Sequence, residues 1–107
     1  MNAKQQKALR EELLVRIDKK SNVQLEKVDR YMNLVNIFYL LDKTIKKDGV
    51  MVTTENGAQK FTKPNPAIAE KNKVNSSLIA LGKDLGLEIP NPVPAQAASE
   101  EEKSALI

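Results

Sequence analysis

From Val23 to Asp48 the chain carries apolar residues at helical spacing, and a helix of that length sets the scale of everything packed around it. At 1.5 Å per residue it would run for roughly 35–40 Å. Leu25, Val28, Met32, Val35 and Tyr39 form one stripe along it. Tyr31, Leu34, Phe38, Leu41 and Ile45 form a second beside the first. Between Tyr31 and Leu41 the helix is apolar almost all round, which fits burial on two sides. A chain of 107 residues is too short to supply a large core, so the expected second partner is another copy of the chain. The residues expected at that contact are Tyr31, Leu34, Val35, Phe38, Tyr39 and Leu41.

The elements on either side follow from local signals. Leu9, Leu13 and Ile17, widened by Leu14, predict a first helix from about Lys4 to Lys19. Ser21, three residues before Gln24, has capping-box spacing and opens the long helix. Gly49, after Lys46-Lys47-Asp48, marks its left-handed C-terminal cap. Val50–Thr54 is β-branched, and Asn56-Gly57 predicts a type I′ turn leading into a return strand over Gln59–Thr62. A lone hairpin is marginal in water, so this one must lean on something. Asn65-Pro66 then caps and starts a third helix with the stripe Ala67, Lys71, Val74, Leu78, Leu81 and Leu85, and Ile68 alongside. Gly86 ends it. The expected fold is mostly α: three helices with a long central spine, one β-hairpin between helices 2 and 3, and a flexible C-terminal tail. The division is a body over residues 1–87 and a Pro-rich acidic tail over residues 88–107.

Composition narrows the chemistry. There is no Cys and no His, which removes disulfides, thiolate or imidazole metal sites and Ser–His relays together. Asp42 and Asp48 do not share a helix face and make a poor metal pair. The run Gly57–Thr62 lacks phosphate-loop glycine spacing and sits in a hairpin rather than at a helix start. No catalytic residue, cofactor or metal is expected. No run approaches the roughly 18 apolar residues of a membrane span, and no signal peptide is visible, so a soluble intracellular protein without a membrane partner is expected.

Charge is unevenly placed. Net charge is +3, but Glu88, Glu100, Glu101 and Glu102 against Lys103 give the tail −3, leaving +6 on the body. Such a body suits a nucleic-acid partner, although many ordinary domains are this basic. The candidate DNA-contacting cations fall into two stretches. Lys4, Lys7, Arg10, Arg16, Lys19 and Lys20 belong to the first helix; Lys43, Lys46, Lys47, Lys60 and Lys63 surround the hairpin. The second stretch has a plain alternative explanation, because cations favour a helix C-terminus. That tilts the expectation toward the first helix.

The order Tyr31, Leu34-Val35, Leu40, Ile45–Gly49, then Val50–Thr53, Asn56-Gly57 and Lys63–Glu70 resembles a phage terminase small subunit. The continuation Lys73–Asn75, Leu78, Leu81 and Leu85–Leu87 extends the resemblance. It is similar to the short type found in tailed phages and prophages of Gram-positive bacteria, over about Leu25–Glu88. The resemblance implies a non-enzymatic viral DNA-packaging subunit that assembles into a homo-oligomeric ring. It also implies recognition of viral double-stranded DNA, and recruitment and regulation of the large ATPase and nuclease subunit, in the host cytoplasm. The alternative reading is a helical oligomeric adaptor or regulator that binds protein rather than DNA.

Overall fold

The computed structural model describes residues 1–89; the Pro-rich acidic stretch that follows lies outside the described residues. The order is α1 (Ala3–Val15), α2 (Asn22–Asp48), β1 (Met51–Asn56), β2 (Gln59–Pro64) and α3 (Pro66–Asp84). This is the expected three-helix plan with one antiparallel hairpin between α2 and α3.

Both shorter helices run antiparallel to α2 and pack on it. On α3, Lys71 meets Asp42 near the C-terminal end of α2, and Lys27 near its N-terminal end meets Asp84. On α1, Arg10 pairs with Asp29, while Met1 shares a groove with Tyr39, Leu40 and Lys43. Leu13, Val28, Met32 and Leu85 form the buried core, with Leu9, Leu14, Ile17, Tyr31, Leu81 and Leu87 around it. Val28 is completely covered. The two flanking helices thus cover much of both apolar stripes. Val35 is buried within the chain, and Tyr31, Leu34, Phe38 and Leu41 are half-buried. Two-sided burial does not by itself require a second copy, contrary to the argument from chain length. What stays open between Tyr31 and Leu41 is Tyr39 at 42% exposure and its neighbour Leu40 at 64%.

Helix α1 stops four residues earlier than its periodicity predicts. Its start is firm, with Asn2 and Gln5 exchanging side chain–backbone bonds in a capping box. Its end is decided by Asp18, whose carboxylate accepts from Lys20 N–H while its carbonyl accepts from Ser21 N–H. A short acidic side chain that bonds the backbone ahead of it competes with helix propagation. Lys19 and Lys20 therefore stand in a tight connection, not on a helix end. Ser21 caps α2 through Gln24 N–H.

The hairpin also departs by one residue. Asn56 pairs with Gln59, so the two-residue loop is Gly57-Ala58 rather than Asn56-Gly57. Gly57 alone has positive φ (65°), a pattern that fits a type II′ turn and not type I′. The hairpin is exposed throughout except at Val52.

Its base is fixed by Asn65. The Asn65 side-chain oxygen accepts from Ala67 N–H to cap α3, and Nδ2 donates to the Gly49 carbonyl at 2.9 Å. Its backbone N–H donates to Val50 O at 2.8 Å. Gly49 takes φ 89° and ψ 168°, an extended conformation open essentially to glycine and not the left-handed helical cap expected there. Asn65 is 5% exposed. Asn65→Ala removes the cap and leaves a carbonyl without its donor, and should cost about 2–3 kcal/mol in urea unfolding. Asn65→Asp keeps the cap but loses the donor, so its loss should be smaller. Equal losses would refute the two-ended role.

Candidate nucleic-acid interface

The antiparallel packing of α1 rearranges the basic residues. Because Met1 and Gln6 line a groove with Asn36, Tyr39, Leu40 and Lys43, the start of α1 lies beside the C-terminal half of α2, short of its end. Lys4, in the first turn of α1, is thereby carried toward the half of α2 that bears Lys43, with Lys7 one turn further along α1. Lys19 and Lys20 fall at the opposite end, in the connection before α2. The first stretch is thus spread along the length of α1 and not gathered at one end.

Several candidates are engaged within the chain. Arg10 is 2.7 Å from Asp29, Lys46 is 3.1 Å from Asp42, and Lys60 is 3.5 Å from Glu55 across the hairpin. Arg16 is the least available of them. Its Nη1 donates to Gly86 O at 3.2 Å and to Ile89 O at 2.8 Å. The acceptors lie just past α3, where Leu87 N–H reaches Gly82 O and Gly86 N–H reaches Lys83 O, the paired bonds of a Schellman ending. Arg16 joins the end of α1 to the end of α3, a long-range role that no local signal in the sequence announces.

Lys4, Lys7, Lys19, Lys20, Lys43, Lys47 and Lys63 make no ion pair among the described residues. All are exposed. Lys60 and Lys63, three apart on β2, point to opposite faces of the hairpin and cannot grip one phosphate run together.

Lys71, read from sequence as part of the α3 stripe, does structural work. Its Nζ lies 2.8 Å from Asp42 and 4.8 Å above the Phe38 ring, joining α3 to α2. The Lys71 hydrogen bond, and then that of Lys46, hold the Asp42 carboxyl below its ordinary value. A carboxylate with a lowered native value stabilises the fold above its unfolded value near 3.8, and that contribution disappears as pH falls through the native value. Asp42→Asn should melt earlier at neutral pH and show a flatter loss of Tm below about pH 4. An unchanged acid limb would contradict this.

Open grooves run between the helices. The one between α1, α2 and α3 holds about 220 Å³ and is lined mainly by Met1, Leu9, Val35, Phe38 and Leu78. Among the described residues no three His, Cys, Asp or Glu side chains converge on a metal position. No helix among them is long and apolar enough to cross a membrane.

Comparison with known proteins adds one finding. A family model described as phage terminase, small subunit, matches residues 7–102, taking in most of α1 and of the tail besides the segment Leu25–Glu88. No curated protein and no solved structure matches the chain. With the match covering most of its length, the chain belongs to the phage terminase small subunit family.

Proposed function

We infer that this small subunit is the non-catalytic, oligomeric DNA-recognition factor of a viral packaging motor. In this reading it binds viral double-stranded DNA and recruits and regulates the large subunit in the host cytoplasm. Family membership over residues 7–102 is the observation that carries the reading. The unpaired, exposed lysines support its DNA arm, and the uncovered Tyr39 and Leu40 support its oligomeric arm. The DNA contact runs along α1, through Lys4, Lys7 and Lys43 at one end and Lys19 and Lys20 at the other. Lysines make point-charge contacts with phosphate, and no arginine is free to read base edges along α1, where Arg10 and Arg16 are both engaged. Binding by this surface alone is therefore weakly selective, and the packaging site is distinguished by the assembled oligomer presenting several such surfaces at once.

The protein-binding adaptor has one observation in its favour: Arg10, Arg16, Lys46 and Lys60 are all occupied by intramolecular partners. Anisotropy titration of a labelled duplex separates the two. Charge reversal at Lys4 and Lys7 should weaken binding more than reversal at Lys47 and Lys63. Absence of duplex binding at 50 mM salt would leave the adaptor.

A further inference from the structure

The hairpin is firmly mounted, yet its own chain leaves it uncovered. Asn65 closes its base through bonds to Gly49 and Val50, while every strand residue except Val52 is exposed. The strand register divides its side chains into two unlike faces. On one face the polar groups meet across the strands, Thr53 with Thr62 at 3.4 Å and Glu55 with Lys60 at 3.5 Å. On the other, the side chains of Thr54, Asn56, Gln59 and Lys63 have no hydrogen-bond or ion-pair partner among the described residues. Phe61 stands among them, 51% exposed.

This second face suits the edges of base pairs. Asn56 and Gln59 are cross-strand partners, so their carboxamides stand side by side at the tip, and the next row inward is Thr54 opposite Phe61. Asn and Gln are the side chains that make paired hydrogen bonds to N6 and N7 of adenine, and Thr methyl and Phe make apolar contact with the thymine methyl. The loop ahead of them is Gly57-Ala58, with nothing bulkier than a methyl to hold the tip off a groove floor. Dimensions agree as well. Paired strands lie about 4.8 Å apart, and the major groove, about 12 Å wide, admits a two-stranded ribbon. Rows on one face repeat every two residues, about 6.8 Å, which spans two base-pair steps of about 3.4 Å.

Charge around the root is complementary to phosphate. Lys43, Lys47 and Lys63 are exposed and unpaired among the described residues, whereas Asp42 and Glu55 are both in ion pairs, which leaves Asp48 to oppose them. A protein partner fits less well, because Met51 and Phe61 lie on opposite faces and form no contiguous apolar patch.

We propose that the hairpin enters the major groove of duplex DNA and reads A·T base pairs with Thr54, Asn56, Gln59 and Phe61. The proposal rests on the DNA-binding reading above and deepens it. Affinity and selectivity then belong to different elements: the lysines along α1 hold any duplex, and the hairpin chooses among duplexes.

Selection of duplexes from a randomised pool by the full chain, at 50 mM salt, tests this. The protein should enrich a motif containing A·T pairs and bind it about 5- to 150-fold more tightly than a scrambled duplex. Asn56→Ala with Gln59→Ala should bring that ratio to within about twofold of unity while affinity for the scrambled duplex holds. Thr53→Val with Thr62→Val alters the opposite face and should leave the ratio intact. Replacing the selected adenines by 7-deazaadenine removes the N7 acceptor; wild-type binding should weaken about threefold or more, and the double alanine variant should lose nothing further. Selectivity kept in the alanine variant, or lost equally in both double variants, overturns the proposal. A smaller assembly in light scattering with selectivity unchanged would give the face to a neighbouring copy and overturn it too. Duplex binding without enrichment defeats the hairpin reading and spares the DNA-binding one; absence of duplex binding defeats both.

Discussion

Between 50 and 200 mM salt, the affinity of this protein for duplex DNA is expected to fall by about 500-fold. The figure follows from counterion release. Five phosphates neutralised by Lys4, Lys7, Lys19, Lys20 and Lys43 give a log–log slope of about −4.5. A fourfold rise in salt then removes more than two orders of magnitude. The same arithmetic separates contact residues from bystanders. Each genuine phosphate contact removed should flatten the slope by about one, so Lys4→Gln with Lys7→Gln should reduce it by about two. Arg10→Gln should leave the slope nearly unchanged, since Asp29 already holds that guanidinium. Titrations at four salt concentrations would check both. A slope near zero would mean that binding, if any, is not carried by these lysines.

Leu40→Asp is expected to dissociate the assembly while leaving the chain folded. Leu40 is 64% exposed and sits beside Tyr39 at 42%, so a carboxylate there meets water in the isolated chain. At a contact between copies it would be desolvated without a partner. Losing a buried leucine costs about 1.5–3 kcal/mol before that penalty is added. At 1.4 kcal/mol per decade, the dissociation constant of each contact should rise at least 10²-fold. Phe38→Asp, which the stripe pattern makes the natural choice, is a poorer test. The Phe38 ring lies under Lys71 and edge-on to Tyr39 at 5.5 Å, so its loss also loosens α2 from α3. Light scattering and circular dichroism together decide the matter. A Leu40→Asp protein as large as wild type would place the contact elsewhere, and a wild-type monomer at micromolar concentration would end the oligomeric reading.

Those choices show what a one-dimensional reading can reach. The Asn65-Pro66 start of α3 and the glycine ends of α2 and α3 were legible because each acts on neighbours within a few residues, although Gly49 is extended and not in the left-handed helical conformation. The α1 end and the hairpin register were missed by a few residues for a related reason. In both places two local solutions compete: Asp18 can bond forward or permit another helical turn, and Gly57 can be the first or the second turn residue. The candidate site was less legible than the fold. Which cations are free depends on Asp29, Asp42 and Glu55, and which lie together depends on α1 doubling back along α2. The importance of Arg16 comes from acceptors seventy and more positions away. Leu40 lies outside both stripes, and the stripes identify only what a helix buries within its own chain, so its 64% exposure is legible only in the fold.

The junction at Asn65 has an evolutionary consequence. Val50 and Asn65 are already hydrogen-bonded to each other, and the Asn65 side chain is already bonded to Gly49, beneath the first hairpin pair. The helical body is closed at that seam whatever lies beyond it. Strand pairs can be added, deleted or rewritten between the two residues at little cost to α2 or α3, and only Val52 among the strand residues is even partly covered. Natural variation is therefore free to accumulate in the hairpin.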